Sequence, residues 1–298
     1  MPARIAARPN RPCFVISSIS FLTCASVVLT AAWSALAGHG DGRMACLRMG
    51  RCNCRPMGRC NCRSALILEL RRAHPQEIIV KPFNRHAEAQ NGADWAWWFQ
   101  GKKWLGMRVQ AKKLYADSRR YAALAHTIGK TKKRQVDVLI SQAKKDKLFP
   151  MYCFYNFWDI AAHPLKNVSF NCGTFPPSEH RLGCTLASAE EVKLLAIDQG
   201  KDDLATVGRI SFPWICLVCC PTGTATGHDL ASRIKASLEV QQGPPLRVDG
   251  RRRTRLTPKL VDEPPRYVHA AIDGDSHADD LPQGVAGVVV FKDVPRGA

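Results

Sequence analysis

The chain has 298 residues, 46% of them hydrophobic, which is enough to bury an ordinary core, and its 43 Lys and Arg against 25 Asp and Glu leave a formal charge of +18. The excess is local: residues 1–63 hold nine Arg and one Asp, and residues 100–147 hold 14 basic and three acidic side chains, a field that favours polyanions such as nucleic acid or anionic lipid. Thirteen cysteines, an odd count in a chain this long, argue against a small secreted disulfide framework and for a reducing compartment around residues 64–298.

Residues 1–63 read as an extension separate from the rest. Arg4, Arg8 and Arg11 precede a charge-free run from Cys13 to Gly38, and "ALAG" offers a small-residue cleavage pattern after Ala37. This pattern suits a secretory signal, and the run is long enough for a membrane span, although serines and threonines dilute it. A membrane-anchored or secreted protein, directed by residues 1–38, is therefore the alternative to a cytoplasmic one. A tandem octad, "MGRCNCRP MGRCNCRS", follows from Met49. Its C-x-C units offer soft thiolates, but zinc sites space their cysteine pairs more widely and no His lies inside the octads. A recent duplication, or an upstream extension of the reading frame that folds into nothing, is the preferred reading.

From residue 64 the pattern is clear. "SALILELRRA" (64–73) predicts a short helix with Leu66, Leu70 and Ala73 on one side, and "EIIVKPF" (77–83) predicts a strand. "ADWAWWF" (93–99) and "WLGMRVQAKKL" (104–114) predict two strands joined by a turn at "QGKK". "KKRQVDVLISQAKK" (132–145) sets Val136, Leu139, Ile140 and Ala143 at helical spacing, and "FPMYCFYNF" (149–157) is a further strand. The order is α-β-β-β-α-β.

Residues 161–240 are less regular. "ASAEEVKLLAI" predicts a helix with acids in its first turn, "RISFPWICLVCC" a buried strand, and "GHDLASRIKASLEV" another helix. Cys216-x-x-Cys219 with Cys220 lacks a second suitably spaced pair, so these cysteines read as buried thiols. From Gln241 to 298, Pro, Gly and charge dominate, and a loop-rich tail is expected. The division is thus 1–63, 64–240 and 241–298.

Side chains alternate along a strand, so Arg108, Gln110 and Lys112 share one face while Met107, Val109 and Ala111 face the core. On the preceding strand Asp94, Ala96 and Trp98 share a face, and a hairpin brings Asp94 beside Gln110 and Lys112. Polar groups clustered on an otherwise apolar hairpin need a reason.

An acid followed sixteen residues later by Q-x-K, in this strand order, resembles the PD-(D/E)XK nuclease core, in particular the branch where Gln replaces the second acid. The resemblance implies an α/β (α+β) restriction-endonuclease-like fold with a less regular C-terminal extension. It also implies a site in which Asp94 and Gln110 hold Mg²⁺ (or Mn²⁺), Lys112 assists the attacking water, and Glu69 or Glu88 supplies a further acid. Phosphodiester hydrolysis needs such groups, because negative charge builds on the phosphate while a hydroxide attacks in line. A more specific resemblance is to an uncharacterised family with stretches like "GADWEWWF", "RVQAKRL", "YCFYN", "GCSLASA" and "PWHCLVC". Here they stand as "GADWAWWF" (92–99), "RVQAKKL" (108–114), "YCFYN" (152–156), "GCTLASA" (183–189) and "PWICLVC" (213–219). Ala96 stands where that family tends to carry Glu.

The expected function is a Mg²⁺-dependent nucleic-acid phosphodiesterase acting on DNA, with Lys102, Lys103, Arg108, Lys113, Lys130, Lys132, Lys133 and Arg134 meeting the phosphates and a homodimer as a candidate assembly. Its rival is an inactive nuclease-like binding module. The bland reading of Asp94 is a capping residue at a strand start, and of the tryptophans, core packing.

Overall fold

In a computed structural model of the chain, which describes residues 67, 70–82, 95–115, 118–128, 132–156, 169–172, 183–219, 229–242, 247–248, 251–252, 255–274 and 285–293, eight strands form one mixed sheet. They are β1 (Ile78–Pro82), β2 (Trp95–Gln100), β3 (Trp104–Lys113), β4 (Phe149–Tyr155), β5 (Cys184–Ser188), β6 (Phe212–Pro213), β7 (Leu260–Val261) and β8 (Gly287–Phe291). The order across the sheet is β1-β8-β2-β3-β4-β5-β6, with β7 paired to the start of β3. β8 runs parallel to β2 and β3 runs parallel to β4; the other pairs are antiparallel. The extension of residues 1–63, with its leader-like run and its octads, lies outside the described residues.

The helices are α1 (Gln135–Lys145), α2 (Ala189–Leu195), α3 (Leu204–Ile210), α4 (Cys216–Cys219), α5 (Leu230–Gln241) and α6 (Arg266–Asp273). They cover both faces of the sheet. One face sets Trp95, Trp97, Phe99, Met107, Val109 and Ala111 against Leu217 of α4 and Leu230, Ile234 and Leu238 of α5. On the other face, Tyr152, Phe154 and Ala187 pack with Val136 and Leu139 of α1, Val192 of α2 and Val207 of α3. Beside them Ala96, Trp98, Val288 and Val290 pack with Val268 and Ala271 of α6. The result is a mixed α/β architecture with the sheet between two helical layers. Among the described residues, no helix is long and apolar enough to cross a membrane.

The β2–β3 hairpin forms as its sequence predicts, with Gln100 opposite Trp104 and the turn between them. Gly106 is needed there: a Cβ at this position would lie 2.3 Å from Leu148 and 2.8 Å from the Trp98 ring. The parallel β3–β4 pair requires a crossover, which α1 provides. Before β1 the chain is also helical at residues 67 and 70–73, where Ile67 and Leu70 are buried and Ala73 is exposed.

Three expectations are corrected. The stretch from Gln241 is not a loop-rich tail: it contributes α6 and β8, and β8 is buried throughout between β1 and β2. Its β-branched run Val288–Val290 suits a strand covered on both faces, which shows no polar alternation. "RISFPWICLVCC" is not one strand: Arg209 and Ile210 end α3, Phe212–Pro213 pair briefly with β5, and Cys216–Cys219 turn into helix. Pro213 has no amide hydrogen with which to extend the ladder. Lys133–Arg134 do not belong to the predicted helix either; they pair with Thr127–Ile128, and α1 begins at Gln135.

Candidate functional site

Strand alternation in β3 puts Arg108, Gln110 and Lys112 on one face, as the sequence predicts, but that face is not open. The three residues are 0%, 1% and 3% exposed. The reason is the crossover. α1 returns over this face of the sheet, and Gln135, its first residue, reaches both polar side chains.

The Lys112 ammonium donates to the Ala123 carbonyl at 2.6 Å and to Gln135 Oε1. Gln135 Nε2 in turn donates to Gln110 Oε1 at 2.8 Å, and Gln110 Nε2 donates to the Ala111 carbonyl at 3.1 Å. One glutamine from α1 thus joins the lysine and the glutamine of the Q-x-K motif. Next along the face, the Arg108 guanidinium pairs with the Asp146 carboxylate at the end of α1. Burial holds Arg108 below its ordinary range, an effect Asp146 opposes. A second buried chain lies on the same side of the sheet: Tyr121 Oη donates to Asn156 Oδ1 at 2.5 Å, and Asn156 Nδ2 donates to Thr185 Oγ1 at 3.1 Å. Burial pushes the Tyr121 hydroxyl well above its ordinary range, so it remains a donor at neutral pH.

Asp94, Glu69 and Glu88, the expected acids, lie outside the described residues, as does Lys130. Trp95, next to Asp94 in the chain, pairs with Val109, next to Gln110. Ala96 pairs with Arg108 and is fully buried, so a larger side chain at position 96 would lie beside that of Arg108 and away from solvent. A hard divalent cation takes oxygen ligands. Among the described residues, no three His, Cys, Asp or Glu side chains gather to hold one, and Gln110 Oε1 already accepts from Gln135. The described residues alone therefore supply Gln110 Oε1 but not a full set of oxygen ligands for the cation that the resemblance implies.

The expected phosphate-binding residues divide. Lys102, Lys113, Lys132 and Lys133 are exposed. Lys103 is exposed but sits 2.7 Å from Asp262, and Arg134 is engaged by Asp137 at 2.8 Å and Asp198 at 2.5 Å. Arg108 is withdrawn from the set, because a guanidinium buried against Asp146 does not reach a phosphate.

Gln135, Asp146 and Tyr121 were not singled out in the sequence. Gln135 follows a basic run, at the point where helical spacing begins, and that is the only cue to it. Nothing in the spacing links it to a strand residue 25 positions earlier.

No curated protein and no solved structure matches the chain. A family model does match, over residues 63–296, a range that takes in every strand of the sheet and the whole Arg108–Lys112 ladder; the chain belongs to this family, a family of unknown function (DUF6615).

Proposed function

We propose that the chain is a nucleic-acid-acting protein of the restriction-endonuclease-like kind, with Lys112 and Gln110 as the described half of a phosphodiesterase site that acts on DNA with Mg²⁺ or Mn²⁺. The observation that carries this reading is the Lys112–Gln135–Gln110 chain, set where β3 ends and the crossover helix begins. Lys112 lies near the carboxyl end of β3, and in open α/β sheets ligands bind outside the carboxyl ends of strands. A buried ammonium is a costly way to fill a strand position, and negative charge developing on a phosphoryl group gives it a use. The succession of helical turn, β1, β2, β3, α1 and β4 also supports the reading, although β8 stands between β1 and β2. The exposed Lys102, Lys113, Lys132 and Lys133 supply the positive surface.

A divalent cation would supply charge neutralisation and a more acidic water. Its proposed holders are Asp94, with Glu69 or Glu88, and Gln110. For Lys112 to place positive charge at the reacting group, its ammonium must leave the Ala123 carbonyl and Gln135 Oε1 that hold it, and Gln135 orients both Lys112 and Gln110.

The second reading is a binding module without catalysis. It is favoured by the occupied state of the Lys112 ammonium, which already meets Ala123 and Gln135. Plasmid DNA incubated with the full chain and Mg²⁺, Mn²⁺ or EDTA separates the two. The expected result is metal-dependent cleavage that Asp94→Ala and Lys112→Met each reduce by about 100-fold or more, with DNA binding retained. Binding without cleavage across these metals establishes the second reading. Affinity that does not fall with salt ends both, since each lysine–phosphate contact releases counterions.

A further inference from the structure

We propose that Cys172 and Cys216 form an oxidative modification site: a pair of thiols that a hydroperoxide converts to an intramolecular disulfide. Their sulfurs lie 3.2 Å apart, and neither residue is in a disulfide. A disulfide needs about 2.05 Å, so closure asks each sulfur to move by roughly half an ångström. The backbone on both sides is already anchored. Asn171 N donates to the Ser211 carbonyl at 2.7 Å and Asn171 Nδ2 to the Gln241 carbonyl at 3.0 Å. The Cys216 carbonyl accepts from Ser237 Oγ at 2.6 Å, and Trp214, two residues earlier, stacks on Trp97 at 5.0 Å. The pair is thus held in place from both sides.

Exposure assigns the roles. Cys172 is partly exposed and meets the oxidant; Cys216 is fully buried and resolves the product. The Cys172 thiolate attacks one peroxide oxygen, the O–O bond breaks, and the sulfur becomes a sulfenic acid as one water leaves. The Cys216 sulfur then attacks the Cys172 sulfur, the S–O bond breaks, and the second water carries away the Cys216 proton. Two thiols and one hydrogen peroxide yield one disulfide and two waters; the sulfurs lose two electrons and the peroxide gains them. The bond ties residues 169–172 to the start of α4, beneath the apolar face of the sheet.

A second thiol pair provides an internal contrast. Cys153 and Cys184 lie on neighbouring strands, and the Cys184 thiol is held well above its ordinary range by its hydrogen bond with Cys153 and by burial. Cys184 is partly exposed and Cys153 buried, so mapping this pair in the same experiment controls for exposure alone.

The test uses the full reduced chain, a hydrogen peroxide series, maleimide blocking and peptide mapping. The expected product links Cys172 to Cys216, reverses with dithiothreitol, and raises Tm by roughly 5 °C. Cys172→Ser, at a partly exposed position, and Cys216→Ala each abolish the link; the first tests the proposal even if the second weakens the fold. The proposal is overturned if mapping joins Cys172 to another cysteine, such as Cys219 or Cys220. It is equally overturned if Cys172 accumulates as sulfinic acid while Cys216 still takes the maleimide.

Discussion

The two faces of β3 are buried to the same degree and maintained in opposite ways. Met107, Val109 and Ala111 lie among tryptophans and leucines, where shape and area do the holding. Arg108, Gln110 and Lys112 are held by a few named partners, chiefly Gln135 and Asp146 at the two ends of α1. The apolar face is therefore sensitive to lost volume, and the polar face to a lost partner. Burial alone does not distinguish the two, because what matters on each face is what is left behind when a side chain is removed.

The largest effect is expected on the apolar face. Trp97 stacks on Trp214 and meets Phe291 edge-on, so Trp97→Ala should cost about 3–5 kcal/mol in urea unfolding. A loss below ~1 kcal/mol would show that the face collapses around the gap and is not held by shape. On the polar face, Asp146→Ala removes a partner of a fully buried guanidinium and should cost roughly 2–4 kcal/mol. Arg108→Met combined with Asp146→Leu should recover most of that loss, since an apolar pair leaves no buried charge. If the double variant is no better than Asp146→Ala alone, the partner rule fails here.

A third measurement takes the same comparison to α2. Glu191 pairs with Arg255 at 3.1 Å, yet burial raises its pKa from 4.5 to about 7; Arg255 opposes this and Glu190 adds to it. A folded-state value above the unfolded one means the fold prefers the protonated acid. The associated stability is complete below 4.5, declines as pH rises through about 7, and is absent above. Across that window the wild type should lose roughly 2–3 kcal/mol relative to Glu191→Gln. Parallel stability curves for the two proteins would mean the ion pair with Arg255 offsets burial in full. The smallest effect is a cap. Asp203 accepts from Thr206 N at 2.8 Å at the start of α3, and Asp203→Ala should cost about 1 kcal/mol in the same unfolding assay.

How much of this was legible follows from the same contrast. The alternation of β3, the hairpin and the crossover helix are local patterns, and each appears where its period places it. Which face of β3 carries polar groups was readable; whether that face is covered was not, because Gln135 and Asp146 sit in a helix whose orientation the strand's period does not encode. Of the candidate site, Gln110 and Lys112 were found from their spacing, and Gln135, which joins them, was not. Helix α3 carried a readable signal, an Asp three residues before a Thr, that was passed over. β8 carried a partial signal, a β-branched run ending at Phe291, but without alternation such a run does not show where in the sheet it sits.

The position of β8 has a consequence for synthesis. Val288 pairs with Ala96, about 190 residues earlier, an interval that takes a ribosome roughly 10–40 s to traverse. Until then β1 and β2 have no strand between them, and the edge of β2 displays an aromatic-rich segment with unsatisfied amides. The fold is completed by insertion into a gap and not by growth at a margin, so contacts remote in sequence are required before the sheet closes, which slows folding. During that interval the Trp95–Phe99 edge is open to pairing with another copy of itself, and the like charge of the basic segments opposes such pairing.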